Sequence, residues 1–459
     1  MKNCRSLITC GGKTSPDLSI FCGTLMQVSM HELLPLPICQ CSLQSIRHTP
    51  HQSYGGGLGL YMVHTWFFWN IDTRLSSQTG TRTRLTTSAV ITLPSLNTDC
   101  SQQHYTTEDI PPTTMKAIKI VEGHKAELKD VPIPKLRDDY VLCKVKAVAL
   151  NPTDWKHIDK IGKPGSTIGV DFAGVVEEIG PKVTKNWKKG DRIANFCHGG
   201  NETQPEDGTF GEYCVTKGDH GLKIPSSLSD EEAATLSAGV ITCGQALYQS
   251  LGLPLPGQGK YDGYVLIYGA STASGTLAVQ YANLSGAKVI AICSERNFSL
   301  VKKLGAVEAF DYKDPDCAKK VREYTNNSLR LVLDCIAEGS SPSICENCVS
   351  SSGGTISYLL KATHSRKDVE NKWTLGYTVV GESFQKLGNH VPAKSEDFEF
   401  TKKFWDLTQG LFEEGKLKPH PHKLGEKGLE GVFDGLEMLR KGEVSGVKLV
   451  YRVEDTPGL

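Results

Sequence analysis

Gly263-Tyr-Val-Leu-Ile-Tyr-Gly-Ala-Ser-Thr-Ala-Ser-Gly275 is the stretch whose reading decides the fold. Up to Gly269 it is a short apolar run, suited to a strand buried on both faces of a parallel sheet. A turn of small residues follows, and residues 276–285 then take helical spacing. The unit repeats downstream. Residues 287–293 read as a strand, and 298–304 as a helix closed by Gly305. Short strands follow at 308–311, 331–334 and 354–359. Such βαβ alternation predicts a doubly wound sheet with ligands at the carboxyl ends of its strands.

The turn after the first of these strands has the character of a phosphate cradle. Small residues let a ligand approach the backbone, and the helix start offers free N–H donors. The G-x-G-x-x-G fingerprint is not met, because Ser271 and Ser274 stand where its second and third glycines would be. A purely structural turn would read equally well in isolation; the βαβ setting favours the cofactor. About 20 residues past the glycines an NAD-binding unit places an acidic residue on the ribose 2′-hydroxyl. Here that strand end reads Cys293-Ser294-Glu295-Arg296-Asn297. A hydroxyl and a guanidinium suit a 2′-phosphate and so NADPH, while Glu295 turned inward would repel one.

Upstream the texture is different. Met115-Lys-Ala-Ile-Lys-Ile alternates as a strand with Lys116 and Lys119 exposed, and 141–150, 169–180, 189–194 and 208–215 continue the series. Glycines within 169–180 suit bends or bulges. Short strands with Gly-Asp turns predict a small, irregular β-barrel.

Charge and composition narrow the classes. The chain has 459 residues, with 51 basic and 51 acidic side chains, which argues against a nucleic-acid partner. Its 15 cysteines form no paired CxxC framework and read as free thiols. The most apolar stretch, 57–71, contains His64 and Asn70 and is too short to span a bilayer. A soluble cytoplasmic protein is expected. Residues 1–114 carry only 13 charged side chains, about one in nine, against one in four beyond them. With no sustained apolar period, they read as a poorly ordered extension or a misassigned start. The working chain is then 115–241, 242–391 and 392–459.

From 115 to about 453 the chain resembles the medium-chain dehydrogenase/reductase superfamily. The resemblance rests on Gly169-Val-Asp-Phe-Ala-Gly-Val-Val, Lys189-Gly-Asp-Arg-Ile, Gly208-Thr-Phe-Gly-Glu-Tyr, the Gly269 loop, Leu304-Gly-Ala and Val444-Ser-Gly-Val-Lys-Leu-Val450. It implies an α/β protein in which a GroES-like β-barrel catalytic domain (115–241) is joined to a Rossmann doubly wound nucleotide-binding domain (242–391). The chain then returns to the catalytic domain over 392–459. The zinc enzymes of the superfamily carry Cys and His ligands where this chain has Asn151-Pro-Thr-Asp-Trp-Lys156 and Gly169-Val-Asp171. No metal site is expected.

Within the superfamily the chain is most similar to fungal trans-acting enoyl reductases of polyketide biosynthesis. Asn151-Pro-Thr-Asp-Trp-Lys156, Ser271-Thr-Ala-Ser274, Cys293-Ser-Glu-Arg-Asn-Phe298, Phe310-Asp-Tyr312, Leu333-Asp-Cys-Ile336 and Gly442-Glu-Val-Ser-Gly446 carry that likeness. It implies NADPH contacts at Thr153, Asp154, Trp155, Lys156, Ser271, Thr272, Ala273, Ser274, Ser294, Glu295, Arg296, Asn297, Tyr312, Leu359, Leu360, Val444 and Ser445. Acyl-chain contacts are implied at Thr235, Leu236, Ser237, Ala238, Gly239, Val240, Ile241 and Thr242. A second acyl-contacting loop is implied at Val379, Val380, Gly381, Glu382 and Ser383.

The reaction implied is hydride transfer to the β-carbon of an enoyl thioester held on a carrier by a polyketide or hybrid synthase. Charge then develops on the thioester oxygen, which calls for preorganised donors, and Lys156 is the cationic candidate. Asp154 would fix its loop, and Tyr312 would pack on the cofactor. A monomer is the favoured assembly. Two alternatives stand beside this reading: a zinc-free quinone or enone reductase, and a non-catalytic NADPH-binding module. Enoyl thioester against quinone as acceptor separates the first, and binding without turnover identifies the second.

Overall fold

The structure is a computed structural model that describes residues 113–459, together with the backbone of 71–74 and 84–87. The chain divides into two compact units, Met1–Tyr105 and Thr106–Leu459. In the first, β1 (Ile71–Arg74) and β2 (Arg84–Thr87) pair antiparallel, Ile71 opposite Thr87. The remainder of the expected extension, with its aromatic run Trp66-Phe67-Phe68-Trp69, lies outside the described residues.

The first described element pair of the second unit is the hairpin β3 (Thr114–Val121) and β4 (Lys125–Pro132). Lys116 and Lys119, expected in solvent, are half-buried instead. The Lys119 ammonium donates to Thr167 Oγ1 at 2.8 Å and to the Pro205 carbonyl at 3.0 Å. The face that alternation marks as outer is covered by a loop from elsewhere in the barrel.

Five further strands and two returning ones build the barrel: β5 (Tyr140–Ala149), β6 (Asp171–Ile179), β7 (Arg192–Phe196), β8 (Tyr213–Lys217), β9 (Leu222–Lys223), β18 (His422–Leu424) and β19 (Lys448–Arg452). Their order is β18-β19-β5-β6-β7-β9, with β8 on the first half of β5 and β19 on its last residues. The β5–β6 register slips between Val145 and Ala147, where Gly174 sits opposite Val145. A side chain at Gly174 would collide with the Lys144 carbonyl, so the expected bulge glycine does its work here.

The nucleotide half is a six-stranded parallel sheet of β10 (Tyr264–Tyr268), β11 (Lys288–Ile292), β12 (Ala306–Phe310), β13 (Leu331–Asp334), β14 (Gly354–Tyr358) and β15 (Val369–Trp373). The order β12-β11-β10-β13-β14-β15 reverses between β10 and β13, which opens a crevice at their carboxyl ends. Val265 and Ile267 pack into one hydrophobic core and Leu266 and Tyr268 into another. That is the two-faced burial predicted from the apolar run.

The helices of the second unit are α1 (Pro152–Lys156), α2 (Asp230–Ala234), α3 (Ser237–Cys243), α4 (Ala273–Leu284), α5 (Phe298–Lys303), α6 (Cys317–Tyr324), α7 (Ser341–Cys348), α8 (Ser395–Glu413) and α9 (Gly428–Arg440). α8 lies in the segment expected to return to the catalytic domain, yet it packs against the nucleotide-half helix α4. Its Phe404 and Trp405 join Tyr281 of α4 in one core, and Tyr281 OH meets Thr408 Oγ1 at 2.8 Å. A small hairpin of β16 (Phe384–Lys386) and β17 (Asn389–Val391) follows the large sheet. Among the described residues, no helix is long and apolar enough to cross a membrane.

Candidate functional site

The loop between β10 and α4 is shaped by its glycines. Gly269 has φ 72° and lies against Ile336, and a Cβ there would come 2.9 Å from Ile336 Cγ1. A Cβ on Gly275 would collide with the Gly269 carbonyl, so the helix can start this close to the strand only without a side chain. Thr272 caps α4, accepting from the Gly275 N–H at 3.0 Å. The amides of Ser271, Ala273 and Ser274 have no acceptor among the described residues. Free donors at a helix start, with no side chain in the way, are what a pyrophosphate requires.

Asn297 ties this loop to two others expected to contact the cofactor. Its Nδ2 donates to Ser271 Oγ at 3.0 Å and to Ser445 Oγ at 3.2 Å. Gly446 lies so close that a Cβ would sit 2.7 Å from Asn297 Oδ1. At the end of β11, Cys293 is buried while Glu295 and Arg296 are exposed. Arg296 has no carboxylate partner among the described residues. Asp311 accepts from the Glu295 N–H at 3.4 Å. Ser294 Oγ lies 3.4 Å from the hydroxyl of Tyr312, which is exposed. Leu359 is half-buried and Leu360 exposed at the end of β14, and half-buried Val444 packs on the barrel core. Ser271, residues 294–297, Tyr312, Leu359 and Leu360 thus follow the carboxyl ends of parallel strands, and Asn297 joins Ser445 to them.

Helix α1, from the barrel, reaches the segment that follows the carboxyl end of β13. Asn151 and Asp154 form a capping box, and the Asn151 N–H donates to Asp154 Oδ2 at 2.7 Å. Asp154 is 1% exposed, and burial pushes its carboxyl well above the usual range. Its carboxylate is engaged in the capping box that starts the helix. Trp155 is half-buried, with its indole N–H unpartnered. Thr153 and Lys156, three apart on one helix face, reach the other half of the unit. Thr153 Oγ1 meets Tyr377 OH at 2.7 Å, and Lys156 Nζ donates to Glu338 Oε1 at 2.7 Å.

Behind α1 lies a fully buried ion pair that the sequence did not signal. Asp171 binds Lys448 of β19, with the two side chains 0% and 3% exposed. The same carboxylate accepts from Asn151 Nδ2 at 2.9 Å and from the Ala238 N–H at 2.6 Å. One carboxylate thus fastens three segments around the site: the start of α1, the 235–242 segment and the end of the chain. No group of three or more His, Cys, Asp or Glu side chains among the described residues could hold a metal ion.

The two loops expected to contact an acyl chain are mostly core. Leu236, Val240, Ile241, Val379 and Val380 pack inside the large hydrophobic cluster. Thr235 and Ser237 are buried, and Gly239 lies against Leu277, where a Cβ would sit 2.7 Å away. Gly381 takes a left-handed φ of 71°. Glu382 is held by the Lys217 ammonium at 2.6 Å and Tyr140 OH at 3.0 Å. Ala238, Thr242, Gly381, Glu382 and Ser383 keep accessible surface. The run over 236–241 packs on α4 through Gly239 and Leu277.

Sequence reasoning missed a cluster beside Thr153. His157 Nδ1 lies 2.7 Å from the Thr153 carbonyl and 3.2 Å from Thr153 Oγ1. Lys386 Nζ reaches His157 Nε2 at 3.1 Å. Tyr377 stacks on His198 with ring centroids 4.2 Å apart, and Lys386 Nζ lies 4.4 Å above the tyrosine ring. Burial, then the neighbouring Lys386, lowers His157 to about 3. Burial lowers Lys386 to about 8 against the pull of Glu202. Only the position of His157 one turn after Thr153 hinted at this grouping in the sequence.

The chain matches the alcohol dehydrogenase GroES-like domain over residues 137–226 and the zinc-binding dehydrogenase domain over 273–386. It is 46% identical over 344 residues to trans-enoyl reductase ACTTS2 of Alternaria alternata, covering 74% of this chain and 99% of that protein. It is 44% identical over 353 residues to trans-enoyl reductase resD of Aspergillus sclerotiorum, covering 73% and 99%. Among solved structures, the quinone oxidoreductase of Coxiella burnetii superposes with a TM-score of 0.55 at 26% identity, covering 74% of this chain and 99% of that one. Barrel, doubly wound sheet, crevice and relatives agree: this chain belongs to the trans-enoyl reductase family of the medium-chain dehydrogenase/reductase superfamily.

Proposed function

We propose that this protein reduces the α,β-double bond of an acyl thioester, using NADPH, while a polyketide or hybrid synthase presents the chain on a carrier. The observation that carries the reading is Lys156, a cation on the face of α1 that looks across to the carboxyl ends of the parallel strands. NADPH, when bound, supplies a hydride to the β-carbon. The chain's own residues do the rest. The free amides of 271, 273 and 274 receive the pyrophosphate, and Arg296, with no carboxylate of its own, pairs with the 2′-phosphate. Ser294 adds a hydroxyl there, and Tyr312 and Leu360 offer exposed apolar surface to the base.

Lys156 leaves Glu338 to meet the thioester oxygen as charge develops on it. That release costs little. Glu338 is 60% exposed, and such pairs are worth about 0–1 kcal/mol. Asp154 holds the helix that carries the lysine, and Asp171 holds the helix to the rest of the site.

The experiment compares oxidation of NADPH and NADH by a short enoyl thioester and by a quinone. The proposal expects NADPH with the thioester to be fastest. The Coxiella likeness supports the quinone reductase alternative, and a strong preference for the quinone would put that reading first. NADPH binding with no acceptor consumed would leave a non-catalytic module.

A further inference from the structure

Reduction of an enoyl thioester needs a proton at the α-carbon as well as a hydride at the β-carbon. Lys156 is assigned to the thioester oxygen and Tyr312 to the cofactor, so the α-proton has no donor assigned. A line of hydrogen-bonding groups nevertheless runs from the hairpin β16–β17 to the face of α1. Lys386 Nζ is 3.1 Å from His157 Nε2, His157 Nδ1 is 3.2 Å from Thr153 Oγ1, and Thr153 Oγ1 is 2.7 Å from Tyr377 OH. We propose that Tyr377 protonates the α-carbon of the reduced substrate, and that Thr153, His157 and Lys386 resupply its proton along this line. The inference rests on the enoyl-reduction reading above.

One arrangement of hydrogens lets the line carry a proton, with Nδ1–H shared between the Thr153 carbonyl at 2.7 Å and Thr153 Oγ1 at 3.2 Å. His157 Nδ1 sits 2.7 Å from the Thr153 carbonyl, which can only accept, so Nδ1 carries the ring hydrogen. Nε2 then keeps its lone pair and accepts from the Lys386 ammonium. Thr153 Oγ1 and Tyr377 OH, 2.7 Å apart, can each donate to the other; the line works in the arrangement in which Thr153 donates, which leaves the phenolic hydrogen for the substrate. When the α C–H bond forms from the enolate's electron pair, the Tyr377 O–H bond breaks. Thr153 passes its hydrogen to the tyrosine oxygen, His157 passes Nδ1–H to Thr153, and Lys386 passes a proton to Nε2. The enolate's negative charge and the ammonium's positive charge are both discharged, and the neutral amine recovers its proton from water.

The surroundings suit transfer in one concerted movement. Burial and Lys386 hold His157 at about 3, so an imidazolium does not accumulate midway. Lys386, lowered to about 8, is charged at neutral pH yet gives up its proton easily. The groups facing it are Glu202, His157 and the Tyr377 ring, with Glu202 already bound to Lys163 at 2.7 Å. His198 stacks on Tyr377 from the other side, with its Nδ1 buried and unpartnered. It fixes the ring and takes no part in the line.

The test uses the full chain with NADPH and a short enoyl thioester in D2O. It reads kcat, NADPH affinity by fluorescence titration, and the configuration of the deuterium at the α-carbon. Tyr377→Phe removes one hydroxyl. It is expected to lower kcat by about 100-fold, to leave NADPH affinity unchanged, and to scramble the α-configuration as water becomes the donor. Lys386→Met is expected to be slow as well. Lys386→Arg keeps the charge but does not release a proton, so it should be as slow as the Met variant. Wild-type speed in Lys386→Arg, or intact rate and configuration in Tyr377→Phe, overturns the proposal while leaving the enoyl reading in place. A wild-type chain that binds NADPH but never reduces the thioester overturns both.

Discussion

Lys448→Met removes one partner of the buried pair that anchors the site. Asp171 would remain fully enclosed, with only Asn151 Nδ2 at 2.9 Å and the Ala238 N–H at 2.6 Å to answer its charge. Breaking a buried pair from one side costs about 3–5 kcal/mol, and the two surviving hydrogen bonds place the loss at the lower end, about 3 kcal/mol. Against a typical total of roughly 5–15 kcal/mol, that is a large fraction. Urea unfolding followed by tryptophan fluorescence would show it as a lower midpoint at unchanged slope. Asp171→Asn combined with Lys448→Met removes both charges and should recover most of the loss, giving a coupling of about 2 kcal/mol in a double-mutant cycle. Because the carboxylate also holds Asn151 and Ala238, folded Lys448→Met should lose activity by about tenfold or more as the site loosens. A loss under about 1 kcal/mol, or strictly additive effects of the two changes, would refute the reasoning.

Other expectations follow from the same contacts. Arg296→Ala should raise KM for NADPH by about tenfold while leaving that for NADH unchanged, since a charged hydrogen bond to the 2′-phosphate is worth about 1.5–3 kcal/mol. Equal changes for both cofactors would place the guanidinium elsewhere. Lys156→Ala should lower kcat with an enoyl thioester by about 100-fold and change stability little, because its ion pair is exposed on the Glu338 side. Retained turnover would remove it from the mechanism. The Lys386 ammonium is lowered from 10.5 to about 8, so between those values the unfolded chain binds more protons. Its contribution to stability is present above the upper value and is lost as pH falls through about 8. Relative to Lys386→Met, the wild type should therefore gain on the order of 3 kcal/mol between pH 7 and 11. A pH-independent difference in urea midpoints would contradict the burial assigned to this lysine.

The sequence made the parallel sheet legible because its central strands are apolar on both faces, as Val265 to Tyr268 are. The sixth strand, Val369–Trp373, was not legible. It is an edge strand reading Val-Glu-Asn-Lys-Trp, and its exposed polar residues hide the apolar signal. The phosphate loop could be read because tight approach demands small residues, and Gly275 meets that demand against the Gly269 carbonyl. The Asp171–Lys448 pair joins residues 277 apart, and the Thr153–Tyr377 contact joins residues 224 apart. Only tertiary folding brings either pair together. The same reason explains the apolar segment over 236–241. Its composition suits a lipid-like chain or a core equally well, and its packing on α4 comes from residues distant in sequence.

The measurement that bears most directly on the account is the fate of the hydride. NADPH deuterated at the transferring position of its nicotinamide C4 is mixed with the full chain and an enoyl thioester on a carrier protein, and the product is examined by NMR and mass spectrometry. The account predicts one deuterium at the β-carbon and a saturated thioester. Deuterium absent from the acyl chain while NADPH is consumed, or the label found at a carbinol carbon with the double bond intact, would contradict it.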